Sequence, residues 1–238
     1  MTSNSLLLIV VFVIIILYLS NYAAKFMPVN IINLKRSPDR LQFMSRQCYI
    51  YGIPFIIHNA VDGTTYTFTD KEKALFNIQN KQTMANKKIT ACSLSHIQLW
   101  RKYQYTSEPY IMILEDDGLL QYNMRQHVNT CIRTLEQYDP DWHILWLSGN
   151  DPKNREKVIR WNYYNVYRMY PPEYIGQGAG AYIMSQRGIQ HFLYILETSG
   201  CSEAIDWFLF KSLDKQHSYG VHPPLVDIHH NSMASTIV

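Results

Sequence analysis

Apolar residues in this chain fall in short runs closed by polar or glycine-rich breaks, and these alternate with stretches of helical period. Residues 29–34 (Val-Asn-Ile-Ile-Asn-Leu) predict a strand. Ser37 before Pro38 marks a helix start, with serine at the N-cap and proline at the first helical position. That helix is predicted over residues 38–51 and is closed by Gly52. Residues 53–60 predict a second strand that turns at Val61-Asp62-Gly63. The polar stretch 64–88 has no clean period and predicts a loop with a short helix over 70–77. Residues 89–103 predict an amphipathic helix, because Cys92, Ser95, His96, Leu99 and Trp100 recur at three- and four-residue spacing and share a face. The run 111–114 (Ile-Met-Ile-Leu) predicts a buried strand, 123–138 a helix, 142–147 a strand and 151–160 a charged loop. The glycine-rich run 176–182 precedes Ile183-Met184-Ser185 and a helix over 186–196. It lacks the Gly-Lys-Ser/Thr ending of a nucleotide phosphate loop, so its glycines suit close backbone approach to a ligand or another strand. Strands alternating with helices predict a single α/β domain with a mostly parallel central sheet flanked by helices.

The N-terminus departs from this pattern. Residues 6–19 are apolar without a break, and no charge occurs in residues 1–24. With residues 20–24 added, the segment approaches the roughly 20 residues that a membrane-crossing helix needs. It lacks the basic n-region and small-residue cleavage site of a signal peptide. An uncleaved single-pass membrane anchor over 1–25, entering the membrane through residues 6–24, is therefore expected ahead of a domain over 26–238. Lys25, Lys35 and Arg36 on its C-terminal side are too few to set its orientation by the positive-inside rule.

Composition narrows the class. The chain has 238 residues, 47% hydrophobic and 17% charged, which suits an ordered core. A net charge of +3 carries no bulk attraction for nucleic acid, and no nucleic-acid partner is expected. Four dispersed cysteines form no Cys-x-x-Cys pair and suggest neither a zinc site nor a disulfide framework. The aromatic residues concentrated at 161–174 suit either carbohydrate stacking or packing.

The chemistry gathers behind the strand at 111–114, where Glu115-Asp116-Asp117-Gly118 follows at once. Buried unpaired charge is costly, so three acids after a core strand belong at its end, in a mouth of the fold. Locally two readings stand: a site for a hard divalent cation, and a solvated acidic turn. Asn33, Arg36 and Arg40 at a strand-to-helix junction suit a nucleotide, and equally a solvated first helical turn. His96 reads as a core histidine or as a ligand.

The order of motifs is more specific than any one of them. Residues 32–40 (Ile-Asn-Leu-Lys-Arg-Ser-Pro-Asp-Arg), then Ala60-Val61-Asp62-Gly63, Ala91-Cys92-Ser93-Leu94-Ser95-His96 and Leu114-Glu115-Asp116-Asp117, resemble glycosyltransferase family 25. This is the family of lipooligosaccharide and collagen galactosyltransferases. Residues 178–185 with Arg187-Gly188, Ile205-Asp206-Trp207, residues 223–226 and Ser235-Thr236-Ile237 continue the match in collinear order. Ala91 departs from the family's usual glycine by one small residue. The resemblance implies a GT-A-like fold and transfer of a sugar, typically galactose, from a UDP-linked donor with inversion. It implies a glycan, a lipid-linked acceptor or a protein as acceptor. Glu115, Asp116 and Asp117 resemble the family's version of the DXD motif for Mn²⁺ or Mg²⁺, with Glu115 and Asp117 facing the ligand and Asp116 supporting the loop. Asn33, Arg36, Asp39 and Arg40 look like its nucleotide-binding loop, with Asp62 near the base or ribose and Ser95 and His96 lining the donor pocket. Inversion needs a base for the acceptor hydroxyl, and Asp206 is the candidate; its alternative is an early-turn acid of a helix running to Leu213. His229 and His230 read as a further metal ligand or as a solvated pair. A catalytically inactive, membrane-anchored glycan-binding protein is the competing class. The acidic triplet speaks against it, since binding alone needs no three uncompensated carboxylates. A sugar-nucleotidyltransferase would carry a glycine-rich first loop, and residues 33–40 contain no glycine.

Overall fold

The computed structural model describes residues 26–77, 84–149, 156–161, 164–169 and 178–228, together with Phe12. The expected anchor (apart from Phe12), residues 162–163 and 170–174 of the aromatic stretch 161–174, His229, His230 and residues 235–237 lie outside them. No helix among the described residues is long and apolar enough to cross a membrane.

In chain order the elements are β1 (Val29–Asn33), α1 (Pro38–Ile50), β2 (Phe55–Asn59), α2 (Asp70–Leu75), α3 (Met84–Tyr103), β3 (Tyr110–Glu115), β4 (Gly118–Leu120), α4 (Met124–Tyr138), β5 (Ile144–Trp146), β6 (Lys157–Trp161), β7 (Tyr164–Arg168), β8 (Ala181–Ser185), α5 (Gln186–Ser199), α6 (Ile205–Lys211), β9 (Ser218–His222) and β10 (Val226–Ile228). Eight strands form one sheet in the order β2-β1-β3-β8-β5-β9-β7-β6, and β4 pairs with β10 beside it. Only β7 and β8 run against the rest, so six of the eight strands point the same way and the sheet is mostly parallel. Because β7 and β8 sit between forward strands, four of the seven neighbouring pairs are nonetheless antiparallel.

Side-chain alternation explains why β3 is apolar at every interior position. Ile111 and Ile113 enter the layer packed by α3, α5 and α6, while Met112 and Leu114 enter the layer packed by α1 and α4. Helix α5 is seated on β5 through Gly188, where a Cβ would lie 2.1 Å from the His143 carbonyl oxygen. Ser185 caps that helix by accepting from the Gly188 amide at 3.0 Å.

Several elements differ from expectation. Helix α3 begins at Met84 instead of residue 89; Met, Ala and Lys are good helix formers even without an apolar period. The stretch expected as a charged loop contains most of β6, which pairs with β7 at the edge of the sheet, where exposed charged positions are tolerated. Strands β4 and β10 are three residues each, too short to show a period. Ser37 precedes α1 but makes no side-chain cap bond; its carbonyl instead accepts from Asn33 Nδ2 at 3.1 Å.

Two half-buried histidines make the fold acid-sensitive. Burial and the charge of Lys102 lower His58 to about 4. Burial and then His191 and His217 lower His143 to about 4, with their rings 4.5 and 5.2 Å away. Both are depressed below the unfolded value near 6.5, so the unfolded chain binds more protons between these limits. The stability they contribute is complete above pH 6.5 and is lost as pH falls toward 4. At pH 5 the loss is on the order of 2–3 kcal/mol for the pair after solvent screening. Melting temperatures at pH 7.5 and 5 should therefore fall further for the wild type than for a His58→Gln/His143→Gln variant. Equal falls would refute this account.

Candidate active site

Strands β1, β2 and β3 are parallel neighbours, so their carboxyl ends open on one edge of the sheet. The loops that leave them line a cleft partly open to solvent. Ligand crevices in α/β sheets form at this edge. Ile32 pairs with Glu115, and the Ala60 amide donates to the Asn33 carbonyl at 2.8 Å, so the three loops are in register.

Alternation along β3 sends its acids in different directions. Glu115 continues the face of Ile111 and Ile113 toward α3, where its Oε1 lies 3.1 Å from His96 Nε2 and 3.9 Å from Cys92 Sγ. Asp116 and Asp117 turn toward α1. Arg40 Nη2 lies 2.6 Å from Asp116 Oδ1 and 2.6 Å from Asp117 Oδ2. Asn33 Nδ2 donates to Asp116 Oδ2 at 2.5 Å. Both oxygens of Asp116 are thus engaged, and this residue buttresses the loop. Two anionic oxygens remain. Asp117 Oδ1 is buried with no hydrogen-bond partner, and Glu115 makes its contacts through Oε1, leaving Oε2 on a residue that lines the cleft.

The electrostatics follow from this division. Burial pushes Glu115 up, but the His96 contact and the Arg40 guanidinium outweigh it and hold the carboxyl below its usual value. Burial lifts Asp116 to about 6 against the pull of Arg40 and Asn33. Burial and the Glu115 charge raise Asp117, again opposed by Arg40. One arginine therefore does not fully compensate three carboxylates. A partnerless buried carboxylate oxygen and a second unused one, on two residues that line the same cleft, suit a hard divalent cation such as Mn²⁺ or Mg²⁺. Cys92, His96 and Glu115 also place one donor atom each within 4.8 Å of one another. Burial, followed by the charges of Glu115, Asp206 and Asp117, keeps the Cys92 thiol protonated, far above its usual range.

The expected nucleotide-site residues divide into those that line the cleft and those that brace it. Arg36, Arg40, Ser95, Glu115, Asp116 and Asp117 line it. Asp62 braces Arg36 through a 2.7 Å ion pair, and Ser95 accepts from the Val61 amide at 2.9 Å. Slight burial would raise Asp62, but the Thr64 hydroxyl and amide and the Arg36 guanidinium hold it low. Asn33 and His96 are buried behind the acids. Asp39 is exposed in the first turn of α1 and does not line the cleft. Asp206 occupies the first turn of α6, where its Oδ1 accepts from the Trp207 amide at 2.8 Å. Its charge reaches Cys92, which lines the cleft. Lys88, Cys92 and Gly63 line the cleft without having been expected there. Lys88 fell in a stretch without period. Cys92 carried a usable signal, one helical turn before His96. Gly63 is needed because a Cβ would lie 2.6 Å from the Lys87 carbonyl oxygen.

Residues 26–209 match the sequence profile of glycosyltransferase family 25 (LPS biosynthesis protein). The human procollagen galactosyltransferase 2 is 27% identical over 169 residues, covering 67% of this chain and 26% of that protein. The chain thus spans about a quarter of that relative's length. The lacto-N-neotetraose biosynthesis glycosyltransferase LgtE of Neisseria meningitidis serogroup B is 26% identical over 206 residues, covering 82% of this chain and 72% of LgtE. A crystal structure of an active-site mutant of LgtC aligns at 11% identity over 82% of this chain and 72% of that one, with a TM-score of 0.45. The profile match extends from the first described strand into α6 and takes in all three loops of the cleft, and on it the chain belongs to glycosyltransferase family 25.

Proposed function

We propose that this chain is a metal-assisted, inverting glycosyltransferase of GT-A-like fold that moves galactose from a UDP-linked donor to a glycan, lipid-linked or protein acceptor. The observation that carries the reading is the buried, partnerless Oδ1 of Asp117 at the rim of a cleft that also holds Arg36, Arg40 and Lys88. Family membership and the name of the procollagen relative support galactose as the sugar.

In this reading the residues divide the work. Arg36, steadied by Asp62, and Lys88 bring positive charge to the donor's phosphates. Arg40 holds Asp116 and Asp117 in place, and Glu115 with Asp117 would hold the divalent ion. Such an ion offsets negative charge developing on a departing nucleotide. Asp206 takes the proton from the acceptor hydroxyl, which raises its nucleophilicity for in-line attack. Residues 6–24 anchor the domain to a membrane.

A donor screen tests the reading. The purified full chain is incubated with UDP-galactose and UDP-glucose, with and without Mn²⁺, and released UDP is measured. Mn²⁺-dependent release from UDP-galactose is expected. Retained glycan binding with no release from either donor would favour the inactive glycan-binding alternative.

A further inference from the structure

The end of the sheet opposite the cleft carries exposed apolar side chains. Because β1, β2 and β3 are parallel, helices α1 and α3 leave the cleft side and return to the amino ends of these strands. Tyr49 and Ile50, in the last turn of α1, are 86% and 62% exposed, and Tyr105, just past the end of α3, is 91% exposed. Tyr122, before α4, is 74% exposed, and its ring centroid lies 6.4 Å from that of Tyr51. Arg125, in the first turn of α4, fixes that segment here: it donates to the Gly52 carbonyl at 3.3 Å and lies over the Phe26 ring at 5.8 Å. Tyr105, Tyr49 and Tyr122 are the three most exposed large hydrophobic side chains among the described residues.

A scattered exposed tyrosine needs no explanation, but three at one end of a sheet form a patch. Tyrosine sinks its ring into an apolar layer and keeps its hydroxyl wet, which places it at the boundary between hydrocarbon and water. Arg101 and Lys102 are exposed in the last turn of α3, and with Arg125 they outnumber Glu108 and Glu136, whose charges reach Tyr110 at the same end. Such cations extend to lipid phosphates. The point where the chain enters the domain fixes the orientation. Phe26 is 2% exposed and packed into the core at this end. Residue 24 closes the apolar segment, and two residues of extended chain span only about 7 Å. A domain hung from that segment therefore holds this end against the headgroups.

We propose, on the reading of residues 6–24 as a membrane anchor, that this end of the domain rests on the bilayer surface, with Tyr49, Ile50, Tyr105 and Tyr122 in the headgroup layer. The cleft then faces away from the membrane. Helix α1 runs between the two ends with 13 residues, a length of roughly 20 Å. The cleft opens at about that height, beyond the reach of a hydroxyl at headgroup level.

The full chain is reconstituted into vesicles of phosphatidylcholine and phosphatidylserine to test this. Tyr49→Cys, Tyr105→Cys and Tyr122→Cys each carry an environment-sensitive fluorophore on the new thiol. Thr67→Cys, exposed on the loop that leaves β2 on the cleft side, is the control. The wild type, treated alike, gives the background from the four native cysteines. All four positions are exposed, so the substitutions leave the fold intact. Lipids with a nitroxide on the headgroup should remove most of the emission at 49, 105 and 122 and spare that at 67. Equal quenching at all four positions, or none at the first three in a chain that floats with the vesicles, would overturn the orientation. A full chain that fails to float with vesicles would overturn the anchor and the orientation together, whereas UDP release judges the enzyme separately. Emission at 122 that shifts with protein concentration and ignores the nitroxide would give this face to a second copy of the chain instead.

Discussion

Replacing Asp117 by alanine should lower Mn²⁺-supported transfer roughly 10²–10³-fold and flatten its dependence on divalent ion, because a metal contact to developing charge contributes several kcal/mol. The folded state should survive the change. Asp117 shares Arg40 with Asp116, so its removal leaves the arginine paired. It also removes a buried carboxyl that its surroundings raise above its ordinary value, which relieves repulsion against Glu115. Titrating Mn²⁺ against initial rate for wild type and Asp117→Ala, beside a melting curve of each, checks both statements. Full transfer with unchanged divalent-ion dependence would end the metal assignment.

Asp206→Asn should separate base chemistry from helix capping. If Asp206 accepts the proton of the acceptor hydroxyl, its loss lowers kcat by roughly 10²–10⁴-fold, the usual contribution of a general base. Donor KM and Mn²⁺ dependence should stay near wild type, since Asp206 lies outside the acidic triplet and the α1 loop. If it serves only as an acid in the first turn of α6, the change costs about 0.3–1 kcal/mol of stability and leaves turnover alone. Steady-state kinetics with a saturating donor, set against the melting temperature, distinguish the two outcomes. Normal turnover would remove Asp206 as the base.

How much of the site was legible varies with the range of the interactions involved. The triplet was readable because β3 is short, apolar at each interior position and followed at once by three acids. The start of α1 was readable because proline at a first helical turn is a local signal. Lys88 was obscured because the first turn of α3 has helix-forming residues but no apolar period. The β6–β7 pair was obscured because an edge hairpin needs no buried stripe.

The sequence by itself determined the family, the mostly parallel α/β sheet and the place where carboxylates gather, since each follows from local order or from collinear motifs. Only the tertiary structure decided which oxygen of each carboxylate is used and which is left. Asn33 meets Asp116 across 83 positions, and His96 meets Tyr182 across 86. Contacts at such separation leave no periodicity in the chain. They arise when β1, β3 and β8 are brought side by side and α1 and α3 are laid on opposite faces. The strand pleat then sends Glu115 to His96 while the turn carries Asp116 and Asp117 to Arg40.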